Sequence, residues 1–194
     1  MVSRVMWSVV GGVLLLCLVS VASAGVIHAS TASGFQIQAQ PRPGSCHARG
    51  SGVASRPDPG CTPGLVNPAV TQATIRRTIC VSGWTAQVRP PSWVTAPEKL
   101  ASMYAYGLTG SRSRYEYDHF IPLELGGAVN AAGNLWPEFD TPGTRGFYRN
   151  PKDRLESALK RRVCSGAMTL AAARSAIVTN WVNAYSRFVP NALK

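Results

Sequence analysis

Residues 115–127, YEYDHFIPLELGG, leave the chain little choice of local structure. Aromatic, charged and β-branched residues alternate through YEYDHFI, which predicts a strand. Pro122 cannot donate to a sheet ladder and should end that strand or force a bulge. Gly126 and Gly127 then supply a turn. The strand sets Asp118 beside His119, and Asn134 follows in GNLWP. Neighbours on a regular strand point to opposite faces, so a site that uses both Asp118 and His119 needs a distorted strand end near Pro122.

Helical patterns surround this segment. In TAPEKLASMYAYG, Thr95 and Glu98 fit a capping box, and Leu100, Met103, Tyr104 and Leu108 recur at helical spacing before a stop at Gly107. NPKDRLESALKRRVCSG predicts a helix with Asn150 as N-cap, Pro151 in the first position and Asp153 complementing the dipole. Leu155, Leu159 and Val163 form its buried stripe, and Gly166 lies beyond its end. A last helix runs through TLAAARSAIVTNWVNAYSRF, capped by Thr169, with Leu170, Ala173, Ile177, Trp181 and Tyr185 inward. ATIRRTICV reads as a short helix or a strand, with a lean to extended structure. Trp136, beside Pro137, reads as core, and Glu124, between Leu123 and Leu125, as an exposed strand position.

Residues 1–24 read as a signal peptide. Arg4 gives a positive n-region, VVGGVLLLCLVSV an apolar stretch, and Ala22-Ser23-Ala24 a small-residue cleavage site. Cys17 leaves with it. An even set of cysteines then remains, Cys46, Cys61, Cys80 and Cys164, which in an exported chain reads as two disulfides with several possible connectivities. The favoured pairs are Cys46–Cys61 and Cys80–Cys164, with nested pairing as the alternative. No pair has C-x-x-C spacing, which argues against a zinc knuckle. Residues 25–60, rich in Ser, Ala, Gly and Pro, read as a flexible, partly stapled lead-in, and residues 61–194 as one folded domain. His28 and His47 fall in the lead-in and carry no expectation.

The chain holds 20 Lys and Arg against 9 Asp and Glu. That balance favours polyanionic partners: nucleic acid, anionic lipid or an acidic wall polymer. The charge is uneven. Residues 95–140 hold three basic and six acidic groups, while the segments on either side are strongly basic. Carboxylates that hold a divalent cation, flanked by Arg and Lys for a phosphodiester, would produce this pattern. Surface acids balancing nearby arginines would produce it too.

These residues together carry a resemblance. YDHFIPLELGG, then NLWPE, then a helix, resembles the ββα-metal core of HNH-type endonucleases, in particular exported bacterial HNH-like proteins with DH-x-IPLELGG and NLWP. It covers residues 61–187 in overall pattern and is specific over 115–164. The resemblance implies an α+β fold: a small disulfide-stapled domain with a hairpin, a helix crossing beneath it and additional helices. It implies that Asp118 ligates one divalent metal ion (Mg²⁺, Mn²⁺ or Zn²⁺), that His119 is the general base, and that Asn134 pins the loop so that the ring is aimed. The family's third position is a His or Asn on the helix, and no His follows His119 here. Asp153 or Glu156 is the replacement, with Asn150 the lesser candidate. Arg145, Arg149, Lys152 and Arg154 are phosphate-binding candidates, with Arg161 and Arg162 further along the helix. The implied function is metal-dependent hydrolysis of DNA, or of RNA, by an exported nuclease without stable membrane insertion. The alternative class is a non-catalytic exported protein that keeps the fold and binds nucleic acid or the envelope. The missing third His is its support.

Overall fold

The computed structural model describes residues 34–140 and 150–189. The expected leader, residues 1–24, and the phosphate-binding candidates Arg145 and Arg149 lie outside the described residues.

Cys46 is bonded to Cys61 and Cys80 to Cys164, with Cα separations of 5.9 and 5.6 Å, so the favoured connectivity holds. In the chain-entropy picture, closing loops of 15 and 84 residues stabilises the fold by about 3 and about 4.5 kcal/mol. Cys46 is buried in the core. The loose lead-in expected over 25–60 is therefore, from Gly34 on, laid against the domain. Gln38 N–H donates to Glu98 Oε1 (2.6 Å), and Trp181 Nε1–H donates to Ser55 O (3.0 Å). Buried polar groups need partners, and the backbone of this segment provides them.

The described residues form four helices and one two-stranded antiparallel sheet, a mixed α+β arrangement: α1 Trp84–Val88, α2 Ser92–Ala105, β1 Tyr115–His119, β2 Leu135–Phe139, α3 Pro151–Cys164 and α4 Leu170–Phe188. In the hairpin Asp118 lies opposite Trp136 and His119 opposite Leu135. α3 starts as its sequence predicts, with Asn150 Oδ1 accepting from Lys152 N–H (3.0 Å) and Pro151 first. Leu155, Leu159 and Val163 are wholly buried in one core with Ile177 and Trp181 of α4. Thr169 caps α4 by accepting from Ala172 N–H (3.2 Å). That helix is interrupted at Asn180 (φ −168°, ψ 93°), whose side chain accepts from Asn183 N–H (3.3 Å) and restarts it. Trp136 is core, its ring 6.1 Å from that of Tyr106. No helix among the described residues is long and apolar enough to cross a membrane.

Three expectations differ from the structure. α2 begins at Ser92 rather than after Thr95, and Glu98 lies buried within it, held by Gln38 instead of a capping box. ATIRRTICV forms turns, including a 3-10 turn over Ile75–Arg77. Thr74 Oγ1 donates to Ala69 O and Thr78 Oγ1 to Thr74 O, both at 2.8 Å; such local bonds give the backbone an alternative to a ladder. Glu124 is buried, because the chain after Pro122 coils into a 3-10 turn, Leu123–Leu125, that sends both leucines into the interior.

Candidate active site

The connection between β1 and β2 is built around Asn134. Its buried side chain accepts Ile121 N–H at Oδ1 (2.9 Å) and donates from Nδ2 to Ile121 O and Ala128 O (3.0 Å each). Gly127 has no room for a side chain: a Cβ would lie 1.8 Å from Ile121 O. Gly126 takes φ +69°, a left-handed conformation open to glycine. Arg174 closes the turn from α4, with Nε donating to Leu125 O (2.8 Å) and Nη2 to Val70 O (2.9 Å) and Gly126 O (3.2 Å). Asn134 thus pins the loop.

That loop carries Val129, whose carbonyl oxygen lies 2.9 Å from His119 Nε2. A carbonyl only accepts, so Nε2 bears the ring proton and Nδ1 the lone pair. Burial pushes the imidazole pKa down to about 4, against the charge of Asp118 and the Val129 bond. The ring is therefore neutral at neutral pH.

Asp118 and His119 do not share a face. The ladder runs regularly through both residues to Phe120, whose N–H donates to Asn134 O (2.7 Å). Pro122 comes too late to distort the strand at Asp118. Asp118 reaches toward α3, and His119 toward the Val129 loop.

On the α3 side Asp118 meets Lys152, whose side chain is wholly buried. Lys152 Nζ lies 2.5 Å from Asp118 Oδ2 and from Glu156 Oε1, 2.9 Å from His119 O and 3.8 Å from Glu138 Oε2. Its three N–H groups are thereby used. Glu138 Oε1, also buried, has no hydrogen-bond partner among the described residues. Burial would raise the Asp118 carboxyl, but Lys152 outweighs it and holds it below the ordinary range. Burial pushes Glu138 and Glu156 well above theirs, against the pull of Lys152. Burial would also discharge Lys152, yet Asp118, Glu156 and Glu138 hold it firmly protonated.

Beside this cage opens a cleft of about 650 Å³, lined by Glu116, Asp118, Glu124, Asp140, Asp153 and Glu156 together with Arg89 and Lys99. Most of the acids of a basic chain thus face one another. Glu116 reaches solvent at its edge, but enclosure by the cleft walls and then the charges of Asp118 and Asp153 push its carboxyl up to about 7. Burial, followed by Asp118, pushes Asp153 up to about 6.

The metal implied by the resemblance does not fit these side chains as they stand. Asp118 and Glu156 are both engaged by the Lys152 ammonium, and Asp153 is not part of that cage. Among the described residues no group of three or more His, Cys, Asp or Glu converges on a point where an ion could sit. Lys152, expected at a phosphate, faces carboxylates instead. Arg154 lies exposed on α3 with its guanidinium 5.8 Å from the Tyr185 ring centre, and Arg162 5.4 Å from that of Phe188. Asn150 is the helix cap and also borders the cleft.

No family model, curated protein or solved structure matches this chain.

Sequence reasoning did not single out Glu138, Arg174 or the burial of Lys152. Positions 152, 155, 159 and 163 share one helical face, and that spacing is a signal for Lys152. Glu138 stands across from Glu116 and two pairs from Asp118, which only the hairpin register reveals. Nothing local to Arg174 marks it.

Proposed function

We propose that this chain is an exported hydrolase of nucleic-acid phosphodiester bonds, DNA ahead of RNA, with a ββα core like that of HNH-type endonucleases and His119 as general base. The observation that carries this reading is the imidazole. Nε2 is held on Val129 O by a loop that Asn134 clasps, and the Nδ1 lone pair has no hydrogen bond among the described residues. A neutral ring with one nitrogen anchored leaves the other free to accept a proton, and its low pKa makes it a weaker base than an ordinary imidazole. Hairpin and helix also follow in the order β1, β2, α3, and two disulfides suit an oxidising compartment.

In this reading His119 Nδ1 takes a proton from water as the water oxygen bonds to phosphorus. The bond from phosphorus to the leaving nucleoside oxygen breaks, and that oxygen is protonated from solvent. Arg145, Arg149 and Arg154 neutralise backbone phosphates. No step is assigned to a metal.

The test incubates the oxidised protein and a His119→Ala variant with supercoiled plasmid in Mg²⁺, Mn²⁺, Zn²⁺ or EDTA. Wild type should nick the plasmid and the variant should not, while the variant keeps its fold and its salt-sensitive DNA retention. Equal cleavage by the two proteins would sink the mechanism.

One observation favours a second reading, a non-catalytic protein that binds nucleic acid or the envelope: the carboxyl groups of Asp118 and Glu156 are already engaged by Lys152. That reading expects salt-sensitive DNA retention and no cleavage with any metal.

A further inference from the structure

We propose that Lys152 is the resident cation of this site: its ammonium lies among Asp118, Glu138 and Glu156, engaging Asp118 and Glu156, two of the side chains to which the resemblance assigns a divalent ion, and the native chain takes up no metal there. A divalent ion would need these same carboxylate oxygens at roughly 2.0–2.6 Å. Lys152 Nζ already stands 2.5 Å from two of them. Ion and ammonium therefore exclude each other by space and by charge.

The lysine is also built in. It follows Pro151 at the start of α3, where the Asn150 side chain fixes its N–H, and the stripe of Leu155, Leu159 and Val163 holds the helix against the core. Its third donor goes to His119 O (2.9 Å), tying it to β1 as well as to the two carboxylates. Glu138 is the side chain that one ammonium leaves over, 3.8 Å away with Oε1 unbonded. Asp118 and Glu156 each hold an oxygen 2.5 Å from the ammonium and Glu138 stands farther off, so removing the lysine opens its place to another cation.

The inference concerns the cage alone and stands whether or not His119 catalyses hydrolysis, so metal uptake rather than cleavage is read. Mn²⁺ binding to the oxidised protein is followed by the loss of the free-ion electron paramagnetic resonance signal, and Tm is measured in Mn²⁺ and in EDTA. Wild type should take up no Mn²⁺ at the cage and melt at the same temperature in both. Lys152→Ala should melt lower, bind Mn²⁺ and regain part of the lost Tm when the ion is added. Lys152→Met, which fills the space without charge, should bind none. Mn²⁺ uptake by wild type that Asp118→Asn abolishes would overturn the proposal, as would a folded Lys152→Ala protein that takes up no Mn²⁺. Should Lys152→Ala fail to fold, wild type against Asp118→Asn still decides.

Discussion

Two polar clusters flank the hairpin, and they meet the demands of burial in different ways. Around Asn134 the side chain meets three neutral backbone partners at 2.9–3.0 Å. Around Lys152 one ammonium serves three carboxylates, and Glu138 Oε1 is left without a partner. The neutral clasp of Asn134 fixes the loop that holds His119 Nε2. The cage depends on a single residue. Buried ion pairs add little net stability when intact but cost much when one partner is removed. The clasp therefore sets geometry, and the cage is where the fold can be unbalanced.

The largest break in that contrast is Lys152→Ala. Leaving Asp118, Glu138 and Glu156 without their cation should cost about 4 kcal/mol in urea unfolding. The loss should shrink in acid, where the stranded carboxyls take up protons. Asn134→Ala comes next: Ile121 N–H, Ile121 O and Ala128 O lose their partner, which should cost about 3 kcal/mol. Because nothing in the clasp titrates, that cost should not change with pH.

His119 gives the contrast a pH signature. Its pKa is about 4 in the fold against an ordinary 6.5. Unfolding therefore takes up a proton between these values. The contribution is fully present above 6.5 and is lost as pH falls toward 4, by about 3 kcal/mol in all. His119→Gln should flatten this acid limb in a series of urea melts. The smallest effect has the opposite sign. Glu116 is held up to about 7 against 4.5, and Asp153 up to about 6 against 3.8. Their contribution is present below the unfolded values and lost as pH rises through the folded ones. Glu116→Gln should remove a small part of that loss, small because the side chain reaches solvent.

The parts of the fold readable from sequence are those set by neighbours in sequence. Asn150 and Pro151 announce the start of α3, and Leu155, Leu159 and Val163 its buried stripe. Paired glycines mark a turn that tolerates no side chain at Gly127. The acidic island of 95–140 becomes the acidic side of a cleft. What the sequence hid is set at a distance. Glu98 has the spacing of a capping residue, but Gln38, sixty residues earlier, claims it. Lys152 passes for a surface cation because lysine is almost never fully buried unless paired, and its partners come from β1, β2 and α3. The anchor of His119 is a backbone carbonyl, which leaves no residue signature at all.

Whether His119 stands ready as a free base, with its proton on Nε2, is best read by proton–nitrogen correlation NMR of the imidazole across pH. The expected result is the Nε2–H tautomer at neutral pH, with protonation only near pH 4. A proton on Nδ1 at neutral pH would contradict the geometry on which the base role rests, and titration near 6.5 would contradict the burial of the ring.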